Sequence, residues 1–297
     1  MENSKNIFNG VFPILSTPFD EQGNIDFDDL TRQVDWTLDI GVHGIGIAMA
    51  SEIFKLSEQE RDQVLSTVVR DVKDRIPVVM NTGAEGTYLS IKYSKRAENL
   101  GANALMIRPP VLMGVHPSEV KSFFIQIARQ VNIPIFMQDQ HDAQISPQLA
   151  ISLSQEHENL CYVKCETQPT VPRVKETIDN IPSNSPLIVF GGAGGMFMLE
   201  ELKAGSVGTM PNGSMSDVLV EIWNLWNQGD HVSAEKKFSE NANLLRISMQ
   251  SLGIANWLNK YILVHKGVMK SSFPRSPSLK PDDDQFLQID RLFGKSI

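Results

Sequence analysis

The sequence is poor in cysteine, and it carries no long apolar run. Two cysteines among 297 residues cannot build a disulfide framework, so nothing indicates secretion. No apolar run approaches the roughly 18 residues of a membrane-spanning helix. The first twelve residues lack the basic and apolar regions of a signal peptide. We therefore expect a cytoplasmic protein that does not bind membranes.

Positive charge is also scarce. Lys and Arg total 27 against 35 Asp and Glu, which gives a net charge of -8 at pH 7. Binding to nucleic acid or to an anionic membrane depends on clustered Lys and Arg. The six histidines are scattered without the spacing of metal ligands. We therefore expect no nucleic-acid partner and no metal.

Glycine or proline recurs in the chain just before short apolar runs. Three runs follow a glycine, which ends a helix because it adopts the left-handed conformation without a steric penalty. These glycines are Gly41, Gly101 and Gly205. Three other runs open with a proline, which is tolerated at the first position of a strand. These prolines are Pro77, Pro134 and Pro186. In all, eight runs begin near residues 10, 45, 78, 104, 135, 161, 187 and 207.

Segments with apolar residues at helical spacing lie between these runs. Ser57 and Glu60 form a predicted capping box at the start of one helix, and Ser146 with Pro147 starts another. Eight strand–helix units predict an α/β fold, a (β/α)8 TIM barrel. The alternative, an open doubly wound sheet, usually has a glycine-rich turn after its first strand. This chain has no glycine at 16–19.

The pattern changes to helices alone after about residue 214. It predicts a last barrel helix near 218–226, two or three helices across 231–266 and a short one near 284–293. We expect the barrel to occupy residues 1–229 and a C-terminal helical extension to occupy residues 230–297.

One lysine lies inside a predicted strand. Side chains alternate along a strand, so Tyr162, Lys164 and Glu166 share one face. If that face is the barrel interior, Lys164 and Glu166 meet at the end where barrel active sites lie. Burial disfavours the charged form of a lysine and frees an amine that can form a Schiff base with a carbonyl substrate. The structural alternatives are a Lys–Glu ion pair at a strand end and a lysine that extends to solvent.

Three segments carry a family resemblance: Gly-Val-Phe-Pro-Ile-Leu-Ser-Thr-Pro-Phe at 10–19, Ile-Pro-Val-Val-Met-Asn-Thr-Gly-Ala at 76–84 and Val-Lys-Cys-Glu at 163–166. Through them the chain resembles the family of dihydrodipicolinate synthase and N-acetylneuraminate lyase, the class I Schiff-base aldolases and dehydratases. The resemblance implies that Lys164 forms an imine with pyruvate or another 2-oxo acid. It further implies a lyase that uses no cofactor and assembles as a homotetramer.

Departures from that family are equally informative. Dihydrodipicolinate synthases carry Gly-Thr-Thr-Gly-Glu where this chain has Ala-Met-Ala-Ser-Glu at 48–52, and their relay tyrosine falls on Gln138. These losses argue against dihydrodipicolinate synthase activity. The altered motifs resemble the 2-keto-3-deoxy sugar acid dehydratases, with the L-2-keto-3-deoxyarabonate dehydratases as the nearest branch. The loops at 82–83, 109–114 and 191–195 depart from that branch, which leaves the substrate open.

The combined hypothesis is a dehydration through an imine on Lys164. Glu166 is expected to act as acid and base or, alternatively, to orient Lys164. The backbone near Ala50 and Ser51, with the Ser51 hydroxyl, is expected to bind the substrate carboxylate. The alternative for Ser51 is a turn-stabilising role.

Four more residues are expected to contact the substrate: Gln138, Gly191, Gly192 and Met210. Gln138, with Asp139, has the alternative role of closing a barrel loop. The glycine-rich stretch 191–195 has room for an anion or for the substrate itself. Cys161 and Cys165 are expected to pack outward against helices.

Two other functions are consistent with the sequence. The first keeps the imine but cleaves a carbon–carbon bond by a retro-aldol step, which gives pyruvate and an aldehyde. The second is a non-catalytic ligand-binding relative that keeps the barrel.

Overall fold

The structure, a computed structural model, describes residues 8–294. In this described part of the chain, eight strands begin within one residue of the positions that the sequence predicts. They are β1 Gly10–Val11, β2 Ile45–Ile47, β3 Val78–Asn81, β4 Ala104–Ile107, β5 Ile135–Asp139, β6 Tyr162–Cys165, β7 Ile188–Phe190 and β8 Gly208–Thr209. Short buried apolar runs form such strands when both sheet faces are covered.

Within residues 8–294, eleven α-helices follow or alternate with the strands. They are α1 Phe27–Asp39, α2 Glu58–Val72, α3 Thr87–Asn99, α4 Pro117–Ala128, α5 Pro147–Glu156, α6 Thr170–Asp179, α7 Met198–Lys203, α8 Ser216–Asn227, α9 His231–Ile247, α10 Leu252–His265 and α11 Asp283–Leu292. None of these described helices is long and apolar enough to cross a membrane.

The strands close into a barrel. β2 to β7 pair in sequence order as parallel neighbours, and β1 pairs with β8. Isolated bridges join Ile14 to Gly46 and Gly191 to Thr209, which links the two sets into one circle. The predicted (β/α)8 TIM barrel is confirmed, and the open doubly wound sheet is excluded because each of the eight strands described has a neighbour on both sides.

Aromatic and aliphatic side chains fill the barrel interior. The members of this interior cluster are Phe12, Ile14, Ala48, Val79, Ala104, Met106, Phe136, Tyr162, Phe190 and Met210. The ring centroids of Phe136 and Tyr162 lie 4.5 Å apart, and Phe190 meets Phe136 edge-on at 5.3 Å. The barrel interior is therefore a packed core rather than a pore. It supports the residues that follow Tyr162 on β6.

The predicted helix ends are confirmed by cap geometry. The Ser57 hydroxyl accepts from the Glu60 N–H at 3.2 Å, and the Glu60 carboxylate accepts from the Ser57 N–H at 2.8 Å. At α5 the Ser146 hydroxyl accepts from the Leu149 N–H at 3.2 Å, with Pro147 at the first helical position.

The C-terminal extension consists of α9, α10 and α11. The expected boundary at 229/230 falls between α8 and α9, and the terminal residues 1–7 and 295–297 of the two expected ranges lie outside the described residues. Apolar residues of the extension belong to the same core cluster as the barrel helices: Leu245, Ile247, Leu258, Ile262 and Ile289. The extension and the barrel thus share one hydrophobic core.

The two cysteines lie on different sides of the barrel wall. Cys165 packs in the outer layer, as expected. Cys161 instead packs against the interior cluster, so the expectation of an outward side chain was wrong. The reason is that Cys161 precedes β6, where regular strand alternation has not yet begun.

A matched pair of leucine truncations tests this core. Leu105 on β4 is fully buried, whereas Leu279 in the connector before α11 is 58% exposed. We expect Leu105→Ala to lower the free energy of unfolding by about 2–5 kcal/mol, because it removes buried methyl groups and leaves a cavity. Leu279→Ala should change it by about 0.5 kcal/mol or less. Urea unfolding followed by circular dichroism measures both, and equal effects would contradict the assignment of the core.

Candidate active site

A cavity of about 260 Å³ opens at the carboxyl ends of the strands. Its walls come from the loops after the strands and from the C-terminal extension. The lining residues are Ile14, Ala48, Met49, Ala50, Gln138, Gln140, Lys164, Glu166, Gly194, Met210, Asn212, Met249, Ser251, Leu252 and Ala255. Of these described residues, Lys164 and Glu166 alone carry ionisable side chains. The acid–base chemistry available in the cavity therefore rests on this pair.

β6 places Lys164 in the cavity. Tyr162 lies in the interior cluster on the same strand face, whereas Val163 and Cys165 pack in the outer layer. Lys164 is 3% exposed, and its Nζ lies 2.9 Å from Oε1 of Glu166. The lysine does not extend to solvent, because the barrel wall and Glu166 enclose it.

Three groups hold the Glu166 carboxylate. Besides Lys164, the Gln138 side-chain amide donates to Oε2 at 2.8 Å, and the Ala193 N–H donates to Oε1 at 3.2 Å. Gln138 therefore lies in the cavity and orients Glu166. Its own Oε1 is buried and accepts no hydrogen bond, which is uncommon in a packed core.

The turn after β2, residues 48–52, places its two candidate residues differently. Ala50 lines the cavity. Ser51 is buried outside the lining, where its hydroxyl donates to the Leu15 carbonyl at 2.5 Å and accepts from the Ala48 N–H at 3.1 Å. The Ser51 N–H also donates to the Ala48 carbonyl, at 2.9 Å. These bonds favour the turn-stabilising alternative for Ser51.

The two candidate glycines give space to glutamates. A Cβ on Gly192 would collide with Glu166, and a Cβ on Gly191 would collide with the carboxylate of Glu201. Neither glycine lines the cavity, so their placement differs from the predicted contact with substrate. The close neighbours of this loop are protein side chains, which the sequence pattern did not indicate. Met210, after β8, does line the cavity.

Glu201 on α7 is a buried acid behind the Gly191–Gly192 loop, and sequence reasoning missed it. It is 0% exposed, and neither of its carboxylate oxygens makes a well-formed hydrogen bond. Burial raises its pKa to about 7, and the negative charges of Glu166 and Glu200 act in the same direction. The nearby Thr170 hydroxyl lowers it in part. No local motif distinguishes Glu201 from Glu200 in the sequence.

Asp139, next to Gln138, has a structural role. Its carboxylate accepts from the Ile145 N–H at 2.8 Å, from the Thr167 hydroxyl at 2.7 Å and from Arg173 Nε at 2.9 Å. These hydrogen bonds join the loop after β5 to Thr167 and to Arg173 on α6. They favour the loop-closing alternative for Asp139.

Residues 8–294 contain no group of three or more His, Cys, Asp or Glu side chains that could hold a metal ion. Burial raises the pKa of the Cys165 thiol, which keeps it protonated and unreactive.

The extension supplies one wall of the cavity, which the sequence did not indicate. Met249, Ser251, Leu252 and Ala255 come from the junction of α9 and α10. Ser251 caps α10 by accepting from the Ile254 N–H at 3.3 Å. These residues are distant from Lys164 in the sequence and form no motif, so only the folded chain brings them to the site.

Comparison with known proteins agrees with this geometry. The family model described as "Dihydrodipicolinate synthetase family" matches residues 7–294. The chain belongs to this family. Its members form a Schiff base between a lysine and the substrate and need no external cofactor. They are lyases.

Two curated relatives show the range of activities. An L-2-keto-3-deoxyarabonate dehydratase from Azospirillum brasilense is 28% identical over 281 residues, which cover 92% of this chain and 90% of the relative. A 4-hydroxy-tetrahydrodipicolinate synthase from Methanococcus maripaludis is 28% identical over 198 residues, which cover 62% of this chain and 68% of the relative.

Solved structures support the fold. Dihydrodipicolinate synthase from Rhodopseudomonas palustris superposes with a TM-score of 0.88 at 24% identity, covering 97% of each chain. A prophage protein of the same family from E. coli K12, solved in complex with pyruvate, gives a TM-score of 0.88 at 21% identity over 97% of this chain and 98% of the other. At these identities the likeness establishes the barrel and its extension.

The buried acid Glu201 predicts a pH-dependent stability. Its pKa rises from 4.5 in the unfolded chain to about 7 in the fold, so the neutral form is favoured on folding. Below pH 4.5 the acid is protonated in both states. As the pH rises from 4.5 to 7, only the unfolded chain releases its proton, which destabilises the fold by on the order of 3 kcal/mol. Urea unfolding from pH 4.5 to 8 should show Glu201→Gln gaining stability over wild type across this window.

A neighbour on the same helix provides the control for this prediction. Glu200 is exposed. Glu200→Gln should therefore follow the pH dependence of the wild type closely. If wild type and Glu201→Gln have parallel stability curves, Glu201 is ionised in the fold and the prediction is wrong.

Proposed function

We propose that this protein is a Schiff-base lyase that dehydrates a 2-keto-3-deoxy sugar acid through an imine on Lys164. The observation that carries the proposal is the pair of buried Lys164 and half-buried Glu166, 2.9 Å apart, as the ionisable side chains of a cavity at the mouth of the barrel. A lysine enclosed in this way is suited to covalent chemistry with a carbonyl group.

The reaction begins with attack of the Lys164 amine on the C2 carbonyl. Water leaves, and the resulting iminium withdraws electrons from C3. Glu166 removes a C3 proton to give the enamine. The enamine electrons then expel the C4 hydroxyl, which takes a proton from Glu166 and departs as water. Tautomerisation and hydrolysis of the imine, which consumes one water, release the product and the free lysine. The net change is the loss of one water.

One carboxylate suffices for both proton transfers in this scheme. Glu166 accepts the proton from C3 and returns it to the leaving hydroxyl. Gln138 and the Ala193 N–H hold the carboxylate beside Lys164, where it can serve both steps. At the position of the family's relay tyrosine this chain has Gln138, whose amide does not act as an acid or base near neutral pH. This substitution favours dehydration over reactions that depend on a phenol.

The remaining polar groups of the cavity suit a neutral hydroxylated chain. Gln140, Asn212 and Ser251 offer uncharged donors and acceptors, and Lys164 is the one cation among the described lining residues. We assign the substrate carboxylate to the backbone of the turn that contains Ala50. A second carboxylate or a phosphate would find no counter-charge in this lining.

Sequence similarity supports the same substrate class. The dehydratase from Azospirillum brasilense aligns along nine tenths of the chain, whereas the Methanococcus maripaludis synthase aligns along less than two thirds. The homotetramer and the cytoplasmic location stay predictions.

Borohydride trapping tests the imine. Incubation with pyruvate or a 2-keto-3-deoxy acid and then borohydride should add the reduced substrate to Lys164, as mapped by peptide mass spectrometry. Lys164→Ala should form no adduct and should lose turnover by about a thousand-fold or more, because the nucleophile is gone. Lys175→Ala, which removes an exposed lysine, serves as the control and should behave like wild type. Absence of a wild-type adduct on Lys164 would favour a non-catalytic binder.

Replacing Glu166 separates imine formation from proton transfer. Glu166→Gln should lower kcat by about 10²–10⁴-fold, because the proton acceptor and donor is lost, while the borohydride adduct on Lys164 still forms. Glu176→Gln, on the exposed face of α6, is the control and should keep full activity. If Glu166→Gln retains wild-type kcat, Glu166 only orients the lysine.

Product analysis over a panel of 2-keto-3-deoxy pentonates and hexonates identifies the bond that breaks. A 2,5-dioxo acid from a pentonate indicates dehydration. Pyruvate and an aldehyde would instead indicate retro-aldol cleavage and would overturn the proposed dehydration while leaving the imine intact.

A further inference from the structure

A fully buried ion pair joins the extension to the turn after β2. Lys260 on α10 and Glu52 are both 0% exposed, and Lys260 Nζ lies 2.5 Å from Glu52 Oε1. Lys260 Nζ also donates to the Phe273 carbonyl at 3.2 Å and lies 4.4 Å from the ring centre of Phe19. The pair is thus shielded from water by protein on every side.

Glu52 ends the turn that forms one wall of the cavity. Its backbone has φ 55°, the left-handed region that is uncommon for a residue other than glycine and that persists only where surrounding contacts hold it. Its second oxygen accepts from Lys55 Nζ at 2.8 Å. Lys55 and Lys260 therefore both hold the carboxylate of Glu52. This residue has a strained backbone and directly follows Ala50 and Ser51.

α10 contacts the site at two points. Its first turn supplies Leu252 and Ala255 to the cavity lining, and Lys260 reaches the turn 48–52 from behind through Glu52. A shift of this helix therefore changes the cavity wall and the turn together.

Stability alone gives little reason for such a pair. Burial of two charges is opposed by desolvation, and replacing a buried ion pair with apolar groups is often neutral or stabilising. Burial lowers the pKa of Lys260 to about 8, and the positive charges of Lys55 and Arg275 act in the same direction, whereas Glu52 opposes them. The pair is better explained by the position that it imposes on Glu52.

We propose that Lys260 is a positioning residue, which holds the substrate-carboxylate turn in place through Glu52. The helical extension thereby controls how tightly the barrel site binds a 2-oxo acid. The part of this inference that concerns substrate affinity rests on the proposed imine function, whereas the part that concerns the turn does not.

The test compares two lysines of the same region. Lys266, just past α10, also forms a partly shielded ion pair, 2.5 Å from Asp217, and lies over the ring of Trp36, but it does not contact the turn. We expect Lys260→Met to raise the apparent dissociation constant for pyruvate, measured by concentration-dependent borohydride trapping on Lys164, by about 10- to 100-fold. Lys266→Met should stay within about twofold of wild type.

A double variant protects the test against misfolding. Lys260→Met leaves the buried Glu52 carboxylate with one partner fewer, which can unfold the protein. The combined variant Glu52→Gln with Lys260→Met removes both charges and should fold, yet it should show the same loss of pyruvate affinity. Hydrogen exchange of the amides at 48–52 should be faster in both Lys260 variants and unchanged in Lys266→Met.

The outcomes separate the two proposals. If wild type forms no adduct, the proposed imine function fails, and the exchange rates at 48–52 alone decide the role of Lys260. Wild-type affinity and wild-type exchange in the double variant would overturn the positioning role. Equal effects of Lys260→Met and Lys266→Met would overturn it too, because they would indicate general loosening of the extension.

Discussion

The contact between Lys164 and Glu166 is the interaction on which the rest of the site depends. An amine and a carboxylate at the mouth of a packed barrel are partly removed from water, which is unfavourable unless each group has partners. Gln138 and the backbone of Ala193 provide the partners for the carboxylate. On the same strand face as Lys164, Tyr162 packs among the interior rings, which form the floor below the lysine. Barrel closure is therefore a condition for the chemistry.

The loop after β7 shows how glycine serves this arrangement indirectly. Gly192 leaves space for Glu166, and Gly191 leaves space for Glu201 on the other side of the loop. Two carboxylates thus flank one strip of bare backbone, and only Glu166 reaches the cavity. Burial raises the pKa of Glu201 and favours its neutral form. Repulsion from Glu166, which faces Lys164, acts in the same direction.

The C-terminal extension completes the site, although no sequence pattern indicates its contribution. Its helices share the core of the barrel, and the junction of α9 and α10 closes the cavity. The buried contact of Lys260 with Glu52 then ties this wall to the turn after β2. The boundary at 229/230 divides the helices along the chain, but residues from both sides of it line the same cavity.

The sequence by itself determined the eight units of the barrel and the strand face that carries Lys164 with Glu166. Those features follow from local rules: glycine or proline before the strands, capping pairs such as Ser57 with Glu60, and the alternation of side chains along a strand. Only the tertiary structure decided that Ser51 stabilises its turn, that Glu201 is buried and that Lys260 reaches Glu52. The reason is physical, because hydrogen-bond partners and burial arise from segments far apart in the chain, and no local pattern records which of them meet.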